Sequence, residues 1–214
     1  MQWIIATRSR GKLAELAPLL AAHGIDAISL DAAGVAVDTR AEDAIEVFDT
    51  FEANALAKAQ YFAARTRQPC VADDSGLCVD ALDGRPGARS RRFAKDLGIS
   101  MSDDAEDDAN NQAMLDACWD SGRAPPWRAR FACAAAYADR QRSVVMLGYT
   151  DGAIVPDRVG EGGFGYDPFF RSNDLGETFG VASREAKACV SHRARAFASL
   201  LACVLTQNSA TSAR

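Results

Sequence analysis

The chemistry-bearing residues of this chain fall into four groups. Asp73-Asp74 precedes Ser75-Gly76, and two ionised carboxylates stay close together only when a cation or a shared proton offsets their repulsion. Such a pair suits a hard divalent cation or the activation of a water, although the same string is also a respectable turn. Thr7, Arg8, Ser9, Arg10, Gly11 and Lys12 lie between a predicted strand and the N-terminus of a predicted helix, where free N–H groups and the helix dipole attract phosphate. Ala6 and Leu13 stand where a P-loop needs its first glycine and its hydroxyl, so a basic turn capping a surface helix is the alternative. In the third group, Gly163, Phe164, Gly165, Tyr166 and Asp167, the glycines let backbone approach a flat ligand and Phe164 offers a stacking face. A tight turn around a core aromatic reads equally well. Lys187, His192 and Arg193 form the fourth, a set of hydrogen-bond donors at a helix entry, where polar residues also occur without any ligand.

These groups need elements to place them. Apolar spacing predicts a strand over 3–7, a loop over 8–11, and a helix with Leu13, Leu16 and Leu20 on one face that stops at Gly24. Pro18 removes a backbone donor inside that helix, so a kink or an early break is expected there. A strand over 25–30 follows. Thr50 is positioned to N-cap a helix to about residue 64, with Phe51, Ala55, Ala59 and Phe62 as its buried stripe and Asn54 and Lys58 sharing another face. A short strand over 69–72 is expected to deliver Asp73, Asp74 and Ser75 at its C-terminal end, where sites in open α/β sheets tend to lie. A turn over 83–87, a solvated acidic loop over 102–108 and a helix over 109–120 come next. Alternation then predicts strands over 128–139, 143–150 and 153–155. A last helix is expected from about 191 to 205, and residues 206–214 read as a polar, disordered tail.

The 214 residues, 48% of them hydrophobic, suffice for one substantial core, so residues 1–205 read as a single domain. A formal net charge of −5 excludes a protein built mainly to wrap a nucleic-acid backbone. The six cysteines include no CxxC pair and there are only two histidines, which disfavours a zinc site and leaves carboxylates for a hard cation. No apolar run approaches membrane-spanning length and no signal peptide is legible, so a cytoplasmic protein without membrane partners is expected.

Taken in order, the motifs resemble the inosine triphosphate pyrophosphatase family. The resemblance is carried by Ala6, Thr7, Lys12 and Glu15, by Thr-Phe-x-x-Asn-Ala-x-x-Lys-Ala from Thr50, by Ala-Asp-Asp-Ser-Gly-Leu from Ala72, and by Pro86-Gly87 with Ser90 and Arg92. Gly-Phe-Gly-Tyr-Asp-Pro from Gly163 and Lys-x-x-x-Ser-His-Arg from Lys187 complete it. It implies an α/β fold in which a long, twisted mixed β-sheet with flanking helices forms two lobes around a central nucleotide cleft, usually in a homodimer. It also implies Mg²⁺-dependent hydrolysis of ITP, dITP and XTP to the monophosphate and pyrophosphate. Asp74 would be the general base and a metal ligand, and Ser75 would lie beside the substrate; Asp73, or more metal-bound water, is expected to compensate where this chain has Ala53 in place of a metal-binding Glu. Thr7, Arg8, Ser9, Arg10, Gly11, Lys12 and Lys58 would hold the triphosphate, and Phe164, Gly165, Tyr166, Asp167, Lys187, His192 and Arg193 the base.

Three positions depart from the family pattern. Ser9 stands for Asn, Ala53 for a Glu expected to help bind the metal, and Ala186 for an acidic residue. Glu52 cannot take over from position 53, because one helical residue turns a side chain by about 100°. The rival reading is therefore a nucleotide-binding or sensing protein with impaired catalysis. The Arg89, Arg91, Arg92 cluster reads as surface charge, with a phosphate or partner contact as the alternative.

Overall fold

The computed structural model describes residues 1–100, 102 and 105–211, with backbone alone at Asp43 and over 207–211. Residues 103 and 104 of the expected acidic loop and 212–214 of the expected tail lie outside the described residues. Strands β1 (Gln2–Ile5), β2 (Asp26–Ser29), β3 (Cys70–Val79), β4 (Trp127–Ala138), β5 (Ser143–Ile154) and β6 (Phe170–Ser172) form a mixed sheet in the order β2-β1-β3-β4-β5-β6. β1 runs parallel to β2, with Ile4 opposite Ile28, and to β3, with Ile4 opposite Cys70. β5 and β6 are antiparallel, with Ala153 opposite Arg171. Asp139 N donates to Arg142 O at 3.0 Å in the turn joining β4 to β5. Adjacent strands joined that tightly run antiparallel.

The helices are α1 (Arg10–Ala21), α2 (Thr39–Asp43), α3 (Phe51–Thr66), α4 (Phe93–Asp96), α5 (Glu106–Asp120), α6 (Arg184–Val190) and α7 (His192–Thr211). No single described helix is long and apolar enough to cross a membrane. The chain forms two compact units, one of Met1–Asp74, Cys133–Gly148 and Arg193–Arg214, the other of Ser75–Ala132 and Tyr149–His192.

In the first unit, strand alternation sorts the core onto two faces. Cys70 and Ala72 of β3 with Ala134 and Ala136 of β4 pack on Ala55, Ala59 and Phe62 of α3, and small side chains on both sides allow close approach. Val71, Cys133, Ala135 and Tyr137 turn the other way, onto Leu16 and Leu20 of α1 and Phe197, Leu200 and Val204 of α7. Each large apolar side chain so buried stabilises by about 1.5–3 kcal/mol. Thr50 is the N-cap of α3, its Oγ1 accepting from Ala53 N at 3.2 Å. The second unit is centred on Phe131, Phe170 and Phe179, with ring centroids 4.6–6.1 Å apart, packed with Met114, Leu115 and Cys118 of α5.

Several expectations need correction. α1 runs through Pro18 to Ala21 without an early break. Pro18 is exposed and lies in the last turn, so the Ala14 carbonyl it leaves without an intrahelical donor is on a solvent-facing residue. β3 does not stop at Ala72 but continues to Val79, so Asp73–Gly76 is strand interior rather than a strand-end turn. The predicted strand over 153–155 is the end of β5, and the two-residue-period reading missed β6, whose three residues are too few to show a pattern. The last helix extends past 205 to Thr211.

Candidate functional site

In the first unit the site is built on β3. Asp73 and Asp74 are consecutive strand residues, so their carboxylates point to opposite faces of the sheet. Asp73 Oδ2 lies 3.0 Å from Lys12 Nζ and accepts from Arg193 Nε at 3.1 Å, with Cys133 Sγ at 4.0 Å. Arg193 Nη1 also pairs with Glu15, and both Asp73 and Arg193 are buried. Burial by itself would raise the Asp73 carboxyl, but Lys12, Arg193 and Lys58 outweigh it and hold the group well below the ordinary carboxylate range. The same burial pushes the neighbouring Cys133 thiol far up, which keeps it neutral.

Asp74 faces α3. Its Oδ2 accepts from Asn54 Nδ2 at 2.9 Å. Asn54 also donates from Nδ2 to Phe48 O at 3.0 Å and accepts at Oδ1 from Phe48 N at 2.9 Å, so one buried amide holds both Asp74 and the segment before α3. That segment carries Glu46, which pairs with Lys58 Nζ, and Lys58 in turn donates to Asp73 O at 3.2 Å. Burial raises the Asp74 carboxyl above its ordinary value and Glu46 adds to the rise, against the pull of Lys12, Lys58 and Asn54. A carboxylate in that environment is a better proton acceptor than an exposed one. Glu46 was not read from the sequence as a site residue, because it lies in an irregular stretch with no period to mark it. Asn54 is legible in the sequence as part of the Thr50–Ala59 motif and on a helix face with Lys58, without a role of its own.

The Thr7–Lys12 segment has mixed commitments. Ser9 is the N-cap of α1, its Oγ accepting from Lys12 N at 3.4 Å, and Thr7 Oγ1 accepts from Ser9 N at 3.2 Å. Arg10 is exposed and Gly11 lies in the first turn of α1. Arg8 turns to Glu42, at 2.9 Å, and to Asp31, with Val35 O also within reach at 3.1 Å. Its guanidinium thus ties down residues 31–42.

Oxygen donors dominate this group of residues. The Lys58 ammonium is held by the Glu46 carboxylate and the Asp73 carbonyl and feels Asp74 electrostatically, so these groups already accommodate a positive charge. Hard oxygen ligands with one or two carboxylates are what Mg²⁺ takes, its remaining positions being water or phosphate. Among the described residues no three His, Cys, Asp or Glu side chains converge as a metal cage. Asp73 and Asp74 are not brought together as a pair of ligands, since the Asp73 carboxylate is engaged on the opposite face by Lys12 and Arg193.

The second unit holds the other set. Ser75 is followed in β3 by Gly76, where an added Cβ would meet Gly87 O at 2.2 Å and Ser90 Oγ at 2.3 Å. Ser90 Oγ accepts from Leu77 N at 2.8 Å and donates to Gly87 O at 2.7 Å, which draws the 87–90 turn onto the strand. The glycine therefore serves a close approach within a strand, not a turn. Tyr166 OH donates to Ser90 O at 2.8 Å.

The Gly-rich segment is a tight turn. Gly163 has φ 77° and no space for a side chain, an added Cβ falling 2.1 Å from Asp167 Oδ2. That oxygen accepts from Phe164 N at 2.9 Å and from Lys187 Nζ at 2.6 Å. The Lys187 ammonium also lies 4.9 Å from the centroid of the Phe164 ring, which is 36% exposed and so retains surface for stacking. His192 is buried and stacked on Phe131 at 4.7 Å and 14°. The second unit therefore brings Phe164, Asp167 and Lys187 together. Arg193, expected with the base, is instead engaged by Asp73 and Glu15 in the first unit. Arg89 pairs with Asp96 and Arg91 with Glu106, which accounts for most of the arginine cluster as local surface charge.

Comparison with known proteins places the chain among relatives of one kind. A sequence model described as the Ham1 family matches residues 3–203. The chain is 38% identical to a dITP/XTP pyrophosphatase of Halalkalibacterium halodurans, over 93% of this chain and 96% of the relative. It is 40% identical to a dITP/XTP pyrophosphatase of Geobacillus kaustophilus, over 92% and 91% of the two chains. The solved structure of the Ham1 protein of Staphylococcus aureus aligns with a TM-score of 0.78 at 30% identity, covering 97% of this chain and all of that one.

Proposed function

The chain belongs to the Ham1 family, and from that premise we propose that it is a Mg²⁺-dependent pyrophosphatase that hydrolyses ITP, dITP and XTP to the monophosphate and pyrophosphate. Relatives named as dITP/XTP pyrophosphatases match over nearly their whole length, and the chain is accordingly a nucleoside triphosphate pyrophosphatase. The observation that carries the mechanism is Asp74, a mostly buried carboxylate oriented by Asn54 and flanked by two lysines and Glu46.

Asp74 accepts the proton of the water that attacks the α-phosphorus, the raised proton affinity of a buried carboxylate suiting that task. Lys12 and Lys58 neutralise charge on the departing pyrophosphate, and the N-terminus of α1 with the Thr7 and Ser9 turn supplies further donors. A bound Mg²⁺ would supply Lewis-acid neutralisation of the phosphate charge. In this proposal Glu46 and Asp74 hold it, so that the Ala53 departure costs nothing: the second carboxylate comes from the segment before α3. Asp73 and Arg193 act at one remove, fixing Lys12 and β3.

For the base, Phe164 provides a stacking face, and Lys187 and His192 provide donors to a 6-oxo group. A 6-amino group would set its own donors against these donors, which is why ATP is expected to be a poor substrate. The proposal includes a homodimer as the working form, taken from the family resemblance, and the cytoplasm as its compartment, the expectation drawn from the sequence. The deciding experiment is pyrophosphate release from ITP, XTP, dITP, GTP and ATP with Mg²⁺ and again with EDTA. Metal-dependent release from ITP and XTP but not ATP is expected. No release from any substrate despite tight ITP binding would sink the enzymatic reading in favour of a nucleotide binder.

A further inference from the structure

We propose that Asp107 and Asn111, at the start of α5, are positioning residues for base selection, because they hold Gly165 by its backbone N–H and its C=O and so fix the turn that carries Phe164 and Asp167. The inference rests on the assignment of the base to Phe164, Lys187 and His192. Asp107 Oδ2 accepts from Gly165 N at 2.8 Å, and Asn111 Nδ2 donates to Gly165 O at 3.0 Å.

Three observations give this clasp a purpose beyond packing. Gly163 and Gly165 both have positive φ, 77° and 61°, and glycine has no side chain to hold such a conformation. At Gly165 an added Cβ would meet nothing within 4 Å, so packing does not fix this residue, and its two hydrogen bonds to α5 are the restraints in place. Second, Asp107 is exposed, so the fold has no need to bury or pair it. Third, Asn111 is buried to 3% exposure, yet its Oδ1 has no hydrogen-bond partner among the described residues. An unpaired buried acceptor is a cost to the fold, borne at a side chain whose one hydrogen bond goes to Gly165.

The consequence follows along the turn. Gly165 separates Phe164, whose ring is the proposed stacking face, from Tyr166, whose hydroxyl is fixed on Ser90, and Asp167, whose carboxylate orients Lys187. If α5 releases Gly165, Tyr166 and Asp167 keep their anchors, while Phe164 is left with only its bonds to Asp167 and its ring is less firmly held in register with Lys187. Base recognition then weakens while the residues around Asp74 are untouched.

The test uses Asp107→Ala, Asp107→Asn and, as a surface control on α5, Asp116→Ala. The readouts are KM and kcat for ITP and ATP, together with equilibrium affinity for IMP and AMP. Asp107→Ala is expected to raise KM for ITP about tenfold with kcat changed less than about twofold. It should narrow the ITP-over-ATP and IMP-over-AMP preferences by a similar factor. Asp107→Asn keeps an oxygen that can accept from Gly165 N and should recover most of the loss, and Asp116→Ala should match the wild type. The inference is overturned if Asp107→Ala matches Asp116→Ala in KM and preference, or if Asp107→Asn is as impaired as Asp107→Ala. A wild type that releases no pyrophosphate would refute the enzymatic reading alone, because IMP affinity still decides the role of Asp107. A wild type that also fails to bind IMP would refute both.

Discussion

Arg193 Nε donates to Asp73 Oδ2 at 3.1 Å with both side chains out of solvent, and this pair joins the start of α7 to the strand that carries Asp74. Removing the Asp73 charge leaves the buried Arg193 with Glu15 as its remaining carboxylate, and breaking a buried pair costs up to about 3–5 kcal/mol. Asp73→Asn is therefore expected to lose that much stability at pH 7, measured by urea unfolding. The sign with pH follows from the depressed carboxyl. Its folded value lies below the ordinary 3.8, so the contribution is fully present above about pH 4 and is lost as pH falls through the folded value. Wild type and Asp73→Asn should thus differ most at neutral pH, the difference shrinking steadily as pH falls below about 4. A constant difference across that range would exclude the ion pair as the cause.

Gly76→Ala tests why a glycine stands inside β3. The added methyl would fall 2.2 Å from Gly87 O, a backbone atom, and 2.3 Å from Ser90 Oγ, so relief requires the 87–90 turn to move. A loss of about 2–3 kcal/mol is expected in thermal or urea unfolding. Gly24→Ala, where nothing lies within 4 Å but φ is +71°, should lose only about 1 kcal/mol from backbone strain. If the two variants are equally stable, the close approach does not constrain the strand.

The legible and illegible parts of this protein differ for a physical reason. The stripe Phe51, Ala55, Ala59 and Phe62 and the cap Thr50 were readable because helix period and capping are local. The alternation of β4 was readable for the same reason. Asp73-Asp74-Ser75-Gly76, expected just past a strand end with a turn as the alternative, is strand interior, and its turn-like composition hides this. What keeps it in a strand lies far along the chain: Lys12, Arg193 and Asn54 for the carboxylates, and Gly87 with Ser90 for the glycine. Glu46 carries no local mark, and its pairing with Lys58 depends on Asn54 holding Phe48. Arg193 is adjacent to His192 in sequence, which suggested a shared role. Yet Arg193 is engaged by Asp73 and Glu15, while His192 stacks on Phe131. Motif order identified the family; the division of labour within each motif needed tertiary partners.

Glu46→Gln should expose where the cation is held. The substitution keeps size and a hydrogen bond to Lys58 but removes the charge, so the Mg²⁺ concentration for half-maximal activity is expected to rise about tenfold or more. Mn²⁺ affinity, read by electron paramagnetic resonance with activity left aside, should fall in parallel. Glu52→Gln, on the exposed-to-intermediate start of α3, is the control and should leave both unchanged. An unaltered metal titration in Glu46→Gln, or an equal shift in Glu52→Gln, would reject the assignment.

Asp74→Asn addresses the proton acceptor itself. The amide can still accept from Asn54 Nδ2 through its oxygen, so the 2.9 Å contact and the packing on α3 are expected to survive. Removing a charge that burial already disfavours should leave stability within about 1 kcal/mol of wild type, or improve it. Turnover, by contrast, should drop by about 10²–10⁴ for want of a general base, while IMP affinity stays within a few fold, because the proposal assigns the base to Phe164, Lys187 and His192. Single-turnover pyrophosphate release and calorimetric binding of IMP separate the two effects. A variant that keeps more than about a tenth of wild-type turnover would move the proton acceptor away from Asp74. One that loses IMP affinity together with turnover would show that the carboxylate holds the nucleotide rather than activating the water.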